Sequence, residues 1–96
     1  MTFLTLEHFA ERVNDSFISL GDENATFVLL EASPLQGATP EATQRGPFSL
    51  LFRNRSAILF EQKIFQMQHE ELGVMGIFLV PVARDSEGFL YQAVFN

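Results

Sequence analysis

Ninety-six residues without a cysteine suffice for one hydrophobic core and exclude both a disulfide framework and a thiolate metal site. Twelve carboxylates against six basic side chains give a net charge of −6, which works against a phosphate backbone as partner. Eleven phenylalanines, one tyrosine and no tryptophan describe filling for an apolar interior rather than a platform for stacked bases.

The start, Met1 to Val13, has no basic n-region, and Glu7, His8, Glu11 and Arg12 interrupt its apolar residues, so it does not read as a signal peptide. No apolar run approaches the roughly 20 residues that span a bilayer. The expectation is one cytoplasmic domain, residues 1–96, that does not engage a membrane.

Leu6, Phe9, Ala10 and Val13 fall at i, i+3, i+4 and i+7, one helical stripe, with Thr5 as N-cap and Asn14-Asp15 as a stop. So short a helix is not stable alone and needs a sheet face or the open end of a barrel to rest on. From Ser16 the period becomes two. Phe17, Ile18 and Leu20 form a strand, Gly21 to Asn24 a turn, and Thr26 to Leu30, or on to Ala32, the second arm of a hairpin bounded by Pro34. Gln36 to Pro47 is small, polar and punctuated by Gly and Pro, a loop either mobile or functional.

Phe48 to Arg53 alternates, with Phe48, Leu50 and Phe52 on one face and Ser49, Leu51 and Arg53 on the other. Asn54-Arg55-Ser56 turns the chain, and Ala57 to Phe60 reads as a short strand or as an apolar lid over one end of the core. Ile64 to His69 alternates again, Glu70 to Gly73 is a tight connection, and a last pair turns at Arg84 to Gly88. About six strands and one N-terminal helix, with no helix-length pattern between strands, specify an α+β chain of mainly antiparallel β. It forms a small barrel or a two-layer sandwich.

Little of this carries chemistry. His8 and His69 lack metal-ligand spacing and read as solvated surface residues, and Glu70 and Glu71 would point to opposite faces of a strand. Ser49 has no glycine after it to make a nucleophile elbow, and Gly73 and Gly76 do not precede a helix as a phosphate cradle would. Three glycosylation-type tripeptides, at Asn14, Asn24 and Asn54, read as chance matches in a chain without a secretory signal. No catalytic, cofactor-binding or metal-binding residue is expected, and the chain does not read as an enzyme.

Two features point to interaction. Arg53 and Arg55 flank a turn and can hold a carboxylate bidentately, or serve as solvated turn charges paired with Glu61 or Asp85. With Arg45 and Lys63 they make the chain's one basic cluster, diluted by Glu41 and Glu61. The second feature is the stretch from Met75 to Val82. Met75, Ile77 and Leu79 occupy one side and Phe78, Val80 and Val82 the other, so the strand is expected to be buried on both faces with Phe78 in the core. Pro81 lies within it, and a proline belongs at an edge or a bulge.

Thr5-Leu6-Glu7-His8-Phe9, Pro47-Phe48-Ser49-Leu50-Leu51-Phe52-Arg53, Phe78-Leu79-Val80-Pro81-Val82 and Tyr91-Gln92-Ala93-Val94-Phe95-Asn96 together resemble a family of small bacterial proteins grouped as a domain of unknown function. The resemblance covers nearly the whole chain. Gln92 stands where that family leads one to expect glutamate, and Asn54-Arg55 where a glycine-proline turn is usual. The resemblance implies a bacterial setting and a neighbourhood of phage-tail-like genes, and brings no activity, cofactor or catalytic residue. The expected function is a non-enzymatic interaction or assembly module that binds another protein or itself. The alternative is a β-barrel whose Phe-rich interior takes a small apolar ligand.

Overall fold

A computed structural model describes residues 4–21, 25–35 and 47–95. It contains α1 (Leu6–Ala10), β1 (Ser16–Ser19), β2 (Thr26–Pro34), β3 (Phe48–Asn54), β4 (Lys63–His69), β5 (Gly73–Asp85) and β6 (Gly88–Phe95). Residues 22–24 of the first expected turn and 36–46 of the expected long loop lie outside the described residues. At the border of the loop, the Leu35 N–H donates to the Pro47 carbonyl at 3.1 Å, one further rung of the β2–β3 ladder.

Every strand pair is antiparallel, in the order β1-β2-β3-β6-β5-β4, and β1 also pairs with β4 (Ile18 opposite Gln68, Ser19 opposite Met67), which closes the sheet into a barrel. The period-two pattern drives this directly. In β3, Phe48, Leu50, Phe52 and Asn54 are buried and the residues between them half-buried, so one side of the strand faces inward along its whole length. Two bulges keep the pattern in phase. At the first, Leu29 stays inside opposite Phe52, while Glu31 passes to the outside opposite Leu51.

The second bulge explains the proline. β5 is divided along its length: Gly73 to Leu79 pairs with β4, and Val80 to Asp85 pairs with β6. Pro81 sits opposite Tyr91 at a register shift between Pro81 and Ala83, beyond the last β4 pair of Lys63 and Leu79. The missing N–H therefore falls at a bulge and in the half of the strand that β4 has already left.

Aromatic rings fill the interior. Phe27 lies 5.3 Å from Phe65 and 5.4 Å from Tyr91 between ring centroids, and Phe17 lies 5.4 Å from Phe52, each pair edge to face. α1 closes one end by a single plug, Phe9, whose ring lies 6.2, 5.9 and 5.7 Å from Phe17, Phe48 and Phe95. Of the expected stripe, Phe9 is buried and Leu6 half-buried, but Ala10 and Val13 are exposed. The helix stops at Ala10, before the stripe is complete, because the chain must turn into β1: Asn14, at φ +79°, donates its N–H to the Leu29 carbonyl. Phe60 covers the opposite end, with its N–H donating to the Tyr91 hydroxyl at 3.0 Å, so the 57–60 segment acts as the lid and not as a strand. Ile58 and Leu59 beside it are exposed.

One expectation fails plainly. β5 is not buried on both faces: Ile77 and Leu79 are inside, whereas Phe78 is 50 % exposed and Val82 likewise. Closure gives each strand one inner and one outer side, and the helix covers an end of the barrel rather than its wall. Phe78 is therefore not a core residue.

Candidate functional site

Three groupings of side chains merit a functional reading: a buried histidine at the helix end, paired charges at the β5–β6 tip, and the outer surface of β1, β4 and β5.

His69 ends β4 on its inward side and is 3 % exposed, not solvated as its sequence surroundings suggest. Its Nδ1 accepts the backbone N–H groups of Glu71 at 3.0 Å and Leu72 at 3.1 Å. With that nitrogen an acceptor, Nε2 carries the proton and donates to Asp15 Oδ2 at 2.8 Å. The Phe17 ring lies 4.7 Å from the imidazole. Glu71 sits in the β4–β5 turn, not on a strand, and places its carboxylate with His69 and Asp15 so that the ligating atoms lie within 4.8 Å of one another. That spacing suits a cation, but both imidazole nitrogens are committed and Glu71 also meets Arg12 Nε at 3.5 Å. The arrangement works as a clamp that ties the β4–β5 turn to the start of β1. Its imidazole is fully engaged within the chain, while the Asp15 and Glu71 carboxylates each keep an oxygen that these contacts do not use. An open depression of about 590 Å³ beside it is lined by Asp15, Ser16, Ile18, Gln68 and His69, among others. His8 has a local role: its Nδ1 accepts the Thr5 N–H at 2.9 Å, the part a Glu or Gln side chain plays in a capping box.

At the other end Arg53 and Arg55 lie on and after β3, near the β5–β6 tip. Arg53 reaches Asp85 Oδ2 at 2.6 Å and Glu87 at 3.6 Å, and Arg55 reaches Glu87 at 3.3 Å. Of the two carboxylates weighed from the sequence, Asp85 is the partner; Glu87, not Glu61, is the second. The Arg53 hydrogen bond, helped by the Glu87 N–H, holds the Asp85 carboxyl below the ordinary carboxylate range. Asn54 between the arginines is buried and donates to the Thr26 carbonyl at 2.9 Å, while its Oδ1 accepts the Ser56 N–H. Both guanidiniums thus have carboxylate partners within the chain, although the buried Arg53 Nε has no hydrogen-bond partner among the described residues.

The outer surface differs in kind. Ile18 stands opposite Gln68, and Gln68 opposite Val74; Gln66 stands opposite Gly76, and Ile64 opposite Phe78. The Leu20 N–H extends this surface by donating to the Gln66 carbonyl at 2.8 Å. Ile18, Leu20, Ile64, Val74 and Phe78 are each between 45 and 63 % exposed. With Ser16, Gln66, Gln68 and Gly76 they make an outward surface without one charged side chain, in a chain with eighteen. The ion pairs of the clamp and of the tip stand at the barrel's two ends. Sequence reasoning picked out Phe78 on this surface for the wrong reason, as core. It missed Ile64, Val74 and Ile18, which come from separate strands and meet only through the β1–β4–β5 register. Pro81 lies further along β5, half-buried, as the means by which the strand ends its pairing rather than as part of the patch.

Among the described residues no helix is long and apolar enough to cross a membrane. No curated protein and no solved structure matches the chain. A family model does, over residues 4–95, and the chain therefore belongs to the family described as a domain of unknown function (DUF6916).

Proposed function

We propose that this protein is a non-enzymatic interaction module that binds a protein partner through the β1–β4–β5 surface. The observation that carries the reading is that surface: five large apolar side chains, about half exposed, four on three adjacent strands and Leu20 just past the end of β1, with no charge among them. Monomeric proteins seldom leave more than a few hundred Å² of contiguous apolar surface in water without a use for it. A closed barrel has no free edge running the length of the sheet, so a partner meets this surface face-on through side chains. The engaged state of His69 and the internal pairing of Arg53 and Arg55 support a role without catalysis. The meeting of Phe17, Phe27, Phe52, Phe65 and Tyr91 across the interior leaves the apolar-ligand alternative without support. The family resemblance adds a bacterial and phage-tail-like setting to the proposal.

A photo-crosslinking residue placed at Phe78, with a control at Glu31 on the outside of β2, tests the reading in the cells that make the protein. Protein adducts at position 78 and none at 31 are expected. Equal labelling at both, or none at 78, would overturn it.

A further inference from the structure

We propose that the occupant of the β1–β4–β5 surface is a second copy of the same surface, in a two-fold symmetric dimer. This deepens the reading above and rests on it.

Three observations select a second copy. The first is the polar chemistry of the patch. Its hydrogen-bonding side chains are Ser16, Gln66 and Gln68. A hydroxyl or a primary amide carries both donor and acceptor, so each can pair with its own symmetry mate across a two-fold axis. A surface shaped for a foreign partner is free to use lysine, arginine or carboxylates for register and specificity. In an isologous interface such groups near the axis meet their own like charge, and here they are missing from the patch.

The second is the placement of charge. Each copy carries −6, so two copies repel. The carboxylates of Asp15 and Glu71 lie at one end of the barrel and those of Asp85 and Glu87 at the other. A face-to-face approach of the two surfaces leaves these groups on the rim, where water and salt screen them.

The third is size. Five large apolar side chains at about half exposure present on the order of 400–500 Å². With the two glutamines, Ser16 and Gly76 the surface reaches roughly 700 Å², close to the ~800 Å² per partner of a standard interface. Gly76 adds relief, since it leaves a low point between Val74 and Phe78 along β5. A side chain there would press on Gln66 Nε2 at 3.2 Å and Ile64 at 3.3 Å.

Sedimentation velocity of the whole chain from about 1 to 200 µM, at low and at high salt, tests the proposal. The expected result is a monomer of 10.8 kDa giving way to a species of twice that mass as concentration rises. Dissociation should become weaker in higher salt, because screening removes repulsion between two acidic copies. Phe78→Glu, and separately Ile64→Glu, should weaken the dimer by at least about 30-fold. Both side chains are at least half exposed, so the variants fold, and circular dichroism checks that they do. A wild type that stays monomeric to 200 µM overturns the second copy as occupant. So does a dimer that survives both substitutions, or one that salt dissolves. The interaction reading is decided separately, by adducts at position 78 to a different protein: with a monomeric wild type, such adducts retain the module and reject self-association.

Discussion

His69 shows how much a single buried polar side chain can organise. Its ring closes three hydrogen bonds, two from backbone N–H groups of the turn that follows it and one to a carboxylate 54 positions earlier. Removing it leaves those two N–H groups without their acceptor and opens a gap against Phe17. His69→Ala is therefore expected to cost about 2–4 kcal/mol, read as a lower urea midpoint with an unchanged slope. The alternation of β4 put His69 on the same side as Phe65 and Met67, so its inward direction was legible in the sequence. Its burial was not, because a histidine beside two glutamates reads as surface until Asp15 is seen to meet it. No spacing rule connects positions 15 and 69; only the closure of β1 onto β4 does.

The elements themselves were the most legible part. Six strands, their antiparallel order along the chain and the short helix followed from periodicity and turn residues, since each strand carries its own inward phenylalanine, leucine or tyrosine. Pro81 also announced an edge or a bulge, and the register shift between Pro81 and Ala83 makes it a bulge. What the pattern did not carry was the partition of β5 between two neighbours, which depends on where β4 starts. Two glycines of positive φ, Gly88 at the β5–β6 turn and Gly73 at the β4–β5 turn, give two tests. Gly88 has φ +140°, and a Cβ built there would collide with the Asn54 carbonyl oxygen. Gly73, at φ +82°, has nothing within 4 Å of such a Cβ. Gly88→Ala should cost several kcal/mol, and Gly73→Ala only about 1 kcal/mol, the backbone term alone.

The Arg53–Asp85 pair at the β5–β6 turn sets a pH dependence. Asp85's carboxyl is held below its ordinary range when folded, so the folded state favours the charged form. The stabilisation is fully present above the ordinary aspartate value of about 3.9 and is lost as pH falls through the lowered folded value. Denaturation of wild type and Asp85→Asn should accordingly show a gap at pH 7 that narrows and closes in strong acid. A gap that widens as pH falls would have the wrong sign for this pairing.

At the scale of the molecule, the barrel uses its phenylalanines in two ways. Phe65 and Phe27 are sealed inside, while Phe78 stands half in water beside Ile64 and Val74. Apolar residues on both sides of a strand have two physical readings, burial within the fold or burial by something outside it, and the sequence pattern of β5 is the same for both. The distinction lies in the closure of the sheet, which assigns the second side to the exterior. On the proposed function, the outer apolar residues serve a contact and contribute little to the isolated fold. Equilibrium urea denaturation at about 1 µM, comparing wild type, Phe65→Ala and the triple variant Ile64→Thr/Val74→Thr/Phe78→Thr, tests this most directly. Phe65→Ala should lose about 3–5 kcal/mol, and the triple variant should stay within about 1 kcal/mol of wild type. A triple variant as damaged as Phe65→Ala would contradict the account, because it would place those residues in the core.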